Sequence, residues 1–431
     1  MNQILLQSGV SSFFRQYVFS LPLFFASLPI LSVFSSNALV PVTLIAGVTI
    51  ALFDFYNHRS VPIPSRRTIV LTILFFGWAF SSWFWSINPE GTLKVTSRLL
   101  GLSICGWLLV QAVDRRTQVV KDRIAKYLLW GVIISSVLLV IEAQFSAPIT
   151  KFAKGIPLDT ALNLSRFNRG TTFIAVVGWL LIALNTAKLS NKVLFSFVSA
   201  SLCLVIWLAH SGSTMIGVVF AVIWIVFFVS FGWRSRYLLL FIVSLSILGM
   251  PAIATFTKPF GAAENGYGIY HSAHHRFYIW GFVTDQVLRA PIIGAGMDSS
   301  RIYPNLKEQT YKRIRSEEEG GGVIEVEGRV IVLHPHNGPL QIWLELGLIG
   351  AILSVFCIWS TYCWGGHYNI QSRRQEAAVQ AAIVTAITVV TLGYGVWQNK
   401  WFVMFFLFSS ILTLLPGRTE TGKIEDSYLD K

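Results

Sequence analysis

The chain alternates between long apolar runs and short polar breaks almost from end to end. The runs have the length a helix needs to cross a bilayer, about 20 residues. The pattern predicts twelve spans, near 17–34, 38–53, 68–85, 93–113, 124–145, 171–187, 193–209, 214–231, 237–256, 339–362, 377–395 and 400–416. The shortest, 38–53, reads as nearly upright or partly re-entrant. The first run follows a single basic residue, Arg15, and lacks a small-residue cleavage pattern, so it reads as a retained span rather than a signal peptide. No internal repeat is visible, which gives no support to an inverted-repeat transporter.

One segment interrupts the rhythm. Residues 257–338 carry nine basic and nine acidic residues and five of the eight histidines, His271, His274, His275, His334 and His336. A loop of this length is functional or disordered far more often than it is a plain connector. Within it, "HRFYIWGFVTDQVLRAPIIGAG" (275–296) has helical periodicity. Phe277, Trp280, Val283, Val287 and Leu288 are expected to share one face, before a break at Pro291, Gly294 and Gly296. The predicted organisation is spans one to nine over 1–256, a folded cap with short helices over 257–338, spans ten to twelve over 339–416, and a tail over 417–431. "EEEGGG" (317–322) is the expected tip of the cap. The fold class is thus an all-α polytopic membrane protein with one large outer loop between spans nine and ten.

Composition supports this reading. Hydrophobic residues make up 54% of the chain and charged residues 13%, too apolar for an ordinary soluble domain. The net charge of +13 does not indicate nucleic acid, because the basic residues follow the loops. If both termini and every second loop are cytoplasmic, those segments hold eighteen Lys and Arg, against five in the short loops opposite. Basic residues collect on the cytoplasmic side, so both termini are expected there and 257–338 faces outward. The four cysteines form no C-x-x-C pair, which argues against a zinc site or a disulfide framework.

No Walker A, H-E-x-x-H, G-x-S-x-G or EF-hand pattern is present. Any chemistry therefore belongs to the outward face. His334 and His336 stand at the mouth of span ten in "HPHNGPLQIWLELGLIG" (334–350), where Asn337 or Gly338 suits a helix N-cap and Pro339 its first turn. His336 has the chemistry of a general base for a hydroxyl; an interfacial histidine bonded to a loop carbonyl is the plainer alternative. A metal site is not expected, since no third ligand stands at suitable spacing in the sequence, and only His271, His274 or His275 could supply one in space. Arg276, Arg301, Arg166 and Arg169 offer guanidinium forks for phosphate oxygens, against surface ion pairs or lipid headgroups as the plainer uses. Lys94 and Arg98, four apart on span four, share a face at membrane depth, where charges face a protein interior or a wet cavity. Lys94 alternatively snorkels outward. Glu142 is the expected partner of Arg98, and Glu345 is expected to brace span ten. Together these residues suit an amphiphilic substrate with a diphosphate head, whose cations hold the leaving group while an imidazole deprotonates the incoming hydroxyl. A transporter or flippase, with Arg98 and Glu142 lining a path, is the alternative of another class. A purely structural membrane protein is the third.

These residues resemble a known family. "HPHNGPLQIWLELGLIG" is similar to the H-x-H-N…E-x-G-x-x-G signature of the O-antigen ligase and polymerase superfamily. Arg276 to Trp280 with "APIIGAGMDSS" resembles its R…W…P-x-x-G-x-G element, and "SSWFWSINPEGTLKVTSRLL" (81–100) its W-S-x-x-P region. "GVWQNKWF" (395–402) resembles its aromatic run before the last span, with Lys400 departing from an expected aromatic or small residue. The resemblance implies a GT-C-like fold of the bacterial inner membrane with a periplasmic loop. It implies metal-independent, inverting transfer of a glycan from undecaprenyl diphosphate to a hydroxyl of lipid A–core, with no cofactor. It matches the essential histidine to His336, the essential loop arginine to Arg276, and arginines near span six to Arg166 or Arg169; Asn337, His334, Arg301, Arg98 and Lys94 are further substrate-binding candidates. Polymerases and protein O-oligosaccharyltransferases of the same group share the site and differ in the acceptor.

Overall fold

A computed structural model describes residues 21–160, 162–185, 211–262, 271–303, 309–314, 323–328, 334–363, 370 and 372–415. The described chain is dominated by helices. They are α1 (Leu21–Phe34), α2 (Leu39–His58), α3 (Arg66–Ser81), α4 (Pro89–Asp114), α5 (Gln118–Gln144), α6 (Pro148–Lys154), α7 (Asn168–Asn185), α8 (Gly212–Phe231), α9 (Ser235–Leu248), α10 (Met250–Ala262), α11 (His271–Val287), α12 (Gly338–Cys363), α13 (Arg373–Leu392) and α14 (Asn399–Leu412). Eight helical stretches among the described residues are long and apolar enough to cross a membrane by length and composition. The expected seventh span, 193–209, lies outside the described residues, as do the cap tip at 317–322 and the tail at 417–431. Gly212–Leu248 is one such stretch, but Gly232 at φ +57 interrupts it, so it covers two of the expected spans.

Several helix starts were legible in their caps. Ser65, Asn88, Asn337 and Ser372 each accept a backbone N–H of the first turn, from Thr68, Gly91, Leu340 and Gln375 respectively. Helix α13 packs on α7 and α8, α14 on α4, and α12 on α3 and α9. Large apolar side chains such as Ile45, Leu52, Val229 and Phe256 remain exposed on the outside, the surface a bilayer would cover.

Two expectations about the outer loop need correction. It is not wholly helical: β1 (Gln309–Ile314) and β2 (Val323–Gly328) pair antiparallel, with Lys312 opposite Glu325. Both strands are too short and polar to show as a core pattern, and their period-two alternation was hidden in a charged stretch. In α11, Trp280, Val283 and Val287 are buried, but Leu288 is 63% exposed because the helix ends one residue before it.

Candidate active site

The site rests on a broken helix. Gly347 adopts φ +65 and ψ −164 inside α12, which takes the peptide groups around it out of the helical ladder. Such groups must find other partners. The loop after α11 supplies them: Ala295 N–H donates to Leu344 O (2.8 Å) and Gly296 N–H to Glu345 O (2.9 Å). In return Leu348 N–H donates to Pro291 O (2.9 Å) and Ile349 N–H to Ile292 O (3.3 Å). Trp78 Nε1 closes the gap by donating to Leu346 O at 3.0 Å. The approach is close enough that a Cβ on Gly294 would lie 2.6 Å from the Glu345 carbonyl, and one on Gly347 2.3 Å from Ile292 O. The start of α4 seals the other side, with Ile87 N–H on Ala295 O and Thr92 Oγ1 donating to Met297 O at 2.8 Å. Three separate sequence elements are thereby one structural unit.

Glu345, fully buried, is the pin of that unit. Its oxygens accept from Asp298 N–H (2.6 Å), Trp397 Nε1 (2.9 Å) and Gln341 Nε2 (2.9 Å). Gln341 in turn accepts from Val396 N–H at 3.0 Å. This ties the connection between α13 and α14 to the wall of α12.

The two histidines sit on top of this frame, rings 4.5 Å apart. His336 stands at φ +54, a left-handed conformation that costs a non-glycine residue roughly 1–2 kcal/mol. Strain of this sort persists where surrounding contacts impose it. His336 Nδ1 lies 3.1 Å from the Gly393 carbonyl oxygen. A carbonyl only accepts, so Nδ1 carries the proton and the neutral ring keeps its lone pair on Nε2. His334 has the opposite tautomer. Its Nδ1 accepts the His336 backbone N–H at 3.1 Å, so Nε2 carries the proton, and the Gln398 amide 2.7 Å away then turns its oxygen, not its NH2, to the ring as acceptor. Burial, then the charges of His336, Arg301, Lys400 and Arg169, push the His334 pKa down to about 3. Burial and the Arg276 charge also lower that of His336, against the bond to Gly393. Both rings are neutral at pH 7; only His336 offers an unoccupied basic nitrogen.

Cations surround them. Tyr394 lies beside both Arg169 and Arg276 and bonds Thr172; burial holds its hydroxyl above the ordinary range, so it stays protonated. Burial lowers the pKa of Arg276, with Tyr394 opposing that shift. Lys400 lies beside Arg169. None of Arg169, Arg276 and Lys400 forms an ion pair among the described residues. Buried donors near them also lack partners there: Asn337 Nδ2, and Nε1 of Trp401, whose ring is 4.2 Å from Tyr394. Unpaired buried donors beside unpaired cations describe a receptacle for an anion rich in acceptor oxygens.

The sequence candidates divide accordingly. His334, His336, Asn337, Arg276 and Arg169 converge; Arg166, on the preceding turn, is exposed and perturbs none of the site groups. Lys94, Arg98 and Arg301 gather one step away, around Asp298. The expected Arg98–Glu142 pair does not form. Glu142 is buried and accepts from the backbone N–H groups of Ile149 (2.7 Å) and Thr150 (3.0 Å), capping α6. The transporter path drawn through that pair loses its basis. Tyr394, Gln398 and Asp298 were missed. The only signal for the first two was their place in a short aromatic connector between apolar runs. Lys400, noted as a departure, is one of the site's cations.

Known proteins resemble the chain in sequence. Residues 194–355 match a family model described as O-antigen ligase. Over those residues the chain is similar to the O-antigen ligase family. That match includes His334, His336, Asn337, Arg276 and the whole of the Gly347 break. Three similar proteins each bear the name "Putative polysaccharide ligase". The one from Rickettsia conorii is 25% identical over 339 residues, 77% of this chain and 75% of its own length. That from Rickettsia felis is 26% identical over 341 residues, 78% and 77% respectively. That from Rickettsia typhi is 25% identical over 338 residues, 78% of each. No solved structure matches the chain.

Proposed function

We propose that the protein transfers a glycan from undecaprenyl diphosphate to a hydroxyl of lipid A–core, at the periplasmic face of the bacterial inner membrane, with both termini cytoplasmic. The observation that carries this reading is the tautomer of His336. Gly393 fixes the proton on Nδ1 and leaves Nε2 as a base near three cations that form no ion pair with a carboxylate among the described residues.

His336 Nε2 takes the proton of the acceptor hydroxyl as its oxygen attacks the anomeric carbon. The bond from that carbon to the diphosphate oxygen breaks, and the electron pair leaves with the polyprenyl diphosphate. Arg276, Arg169 and Lys400 hold the charge that develops there, and the protonated Tyr394 hydroxyl donates to it. Preorganised donors of this kind supply a large part of a transferase's rate. Attack on the face opposite the leaving group inverts the anomeric centre. The donor's own diphosphate bond supplies the driving force, and the mechanism needs no cofactor.

The test is complementation. Wild type and His336→Ala are expressed in a strain that makes lipid-linked O-antigen but lacks its own ligase, and lipopolysaccharide is resolved by size at matched membrane levels. A ladder from wild type alone supports ligation with His336 as base. A ladder from both removes His336 from that role. No ladder from either, with matched glycans, turns the reading toward a polymerase whose acceptor is another lipid-linked unit.

A further inference from the structure

A second group of cations lies outside the receptacle around Tyr394. Lys94 and Arg98 project from one face of α4, and Arg301 from the short turn after the knitted loop. Asp298 sits among them, in a left-handed conformation (φ +62), with its backbone N–H on Glu345 and its Oδ1 2.7 Å from Arg301 Nε. Asn88 Nδ2, at the start of α4, donates to Asp298 O at 3.3 Å and fixes this loop against the helix. Lys94 and Arg98 form no ion pair among the described residues, and the buried Arg98 Nε has no hydrogen-bond partner there. Glu345 spends its oxygens on neutral donors, so among the described residues Asp298 is the carboxylate that answers the three cations. The local excess of about two positive charges is that of a phosphomonoester, about −1.5 to −2 at neutral pH.

The two cation groups stand on different helices. Lys94 and Arg98 belong to α4 and Arg169 to α7, and α14 packs between those helices and touches both. Arg301 adjoins both groups, since its charge is felt by Arg98 and by His334. A single diphosphate does not need two sets of cations carried on different helices. Two membrane-anchored substrates do.

We propose that Lys94, Arg98 and Arg301 form a second anion subsite, which takes a phosphate carried by the acceptor and so places the acceptor's hydroxyl at His336. This rests on the transferase reading above and assigns the Arg169–Arg276–Lys400 group to the donor. The phosphate is held at its edge by Arg98 Nε, from a rigid helix, and by the more exposed Lys94 and Arg301. A neutral acceptor lacks this anchorage and binds more weakly.

Binding separates this proposal from the transfer chemistry. The full-length protein in phosphatidylcholine nanodiscs is titrated with dodecyl glucoside 6-phosphate, neutral dodecyl glucoside and farnesyl diphosphate, read by tryptophan fluorescence. Wild type is expected to prefer the phosphorylated glucoside by about tenfold or more. Lys94→Gln with Arg301→Gln, both at exposed positions, should erase that preference and leave farnesyl diphosphate affinity intact; Arg169→Gln should do the reverse. Equal affinity of wild type for the two glucosides overturns the proposal. So does a loss of farnesyl diphosphate binding in the Lys94/Arg301 variant, which returns the cluster to the donor. Erasure of the preference by phosphatidylglycerol in the nanodisc also overturns it, because bulk headgroups then occupy the cluster. The titration needs no turnover, so a His336→Ala protein that still makes lipopolysaccharide would sink the assigned base without touching this result.

Discussion

The knit between the loop at 290–297 and the break in α12 sets a quantitative test at Gly294. A methyl group there meets two costs. The residue stands at φ +70, which costs an L-residue roughly 1–2 kcal/mol. The added Cβ would also lie 2.6 Å from Glu345 C and O and 2.7 Å from Gly347 N. These are backbone atoms of a packed helix and do not swing aside. The loop has to withdraw, which breaks the bonds from Ala295 N–H to Leu344 O and from Gly296 N–H to Glu345 O. At about 1 kcal/mol each, the total for Gly294→Ala is about 3–4 kcal/mol. Gly155 is the internal control: it has φ +63, but nothing lies within 4 Å of a Cβ built on it. Gly155→Ala therefore carries only the conformational cost, roughly 1–2 kcal/mol. Unfolding in mixed micelles, followed by tryptophan fluorescence, compares the two variants. Glycan transfer in the complementation strain should fall with Gly294→Ala and hold with Gly155→Ala. Equal destabilisation by both would show that the close approach contributes nothing, and the knitted-loop account would fail.

Other outcomes follow from the same geometry. The pKa of His336 is depressed below the ordinary 6.5, so its base form is complete at neutral pH; the acid limb of a pH–rate profile should fall below 6.5, and a limb at or above 6.5 would contradict the burial argument. His334 is held near 3 when folded against 6.5 when free, so the unfolded chain binds more protons and stability drops as pH falls from 6.5 toward 3; His334→Gln should flatten that slope in a thermal series. Tyr394→Phe removes one donor to the leaving diphosphate and should lower kcat by about one to two orders of magnitude with acceptor KM unchanged; a change confined to acceptor KM would place Tyr394 in the wrong half of the site. Lys400→Gln should weaken farnesyl diphosphate binding, whereas Arg166→Gln should not, and the reverse order would exchange their places.

The sequence made the helices legible because apolar runs of bilayer length and their caps are local properties. Asn337, Pro339 and the run that follows them announced α12 without reference to anything else. Gly347 was visible only as a letter in a motif, since its break becomes meaningful once residues 290–297 lie against it, some fifty positions away in the chain. The same holds for Asp298 and Tyr394, whose neighbours come from other elements. Glu142 was misassigned for a related reason. A buried carboxylate invites a cation as partner, but the N–H groups of the short α6, just ahead in the chain, were nearer. The hairpin was missed because a charged segment with period-two alternation has no apolar face to advertise.

The contacts across the α12 break are made almost wholly by peptide groups. A backbone hydrogen bond is indifferent to the side chain of the residue that makes it, so most positions in 290–297 and 344–349 can be exchanged without loosening the joint. Only residues where a Cβ collides or where φ is positive lack that freedom. The joint is thus an address written in glycines, and it would keep the site assembled through most side-chain exchanges around it.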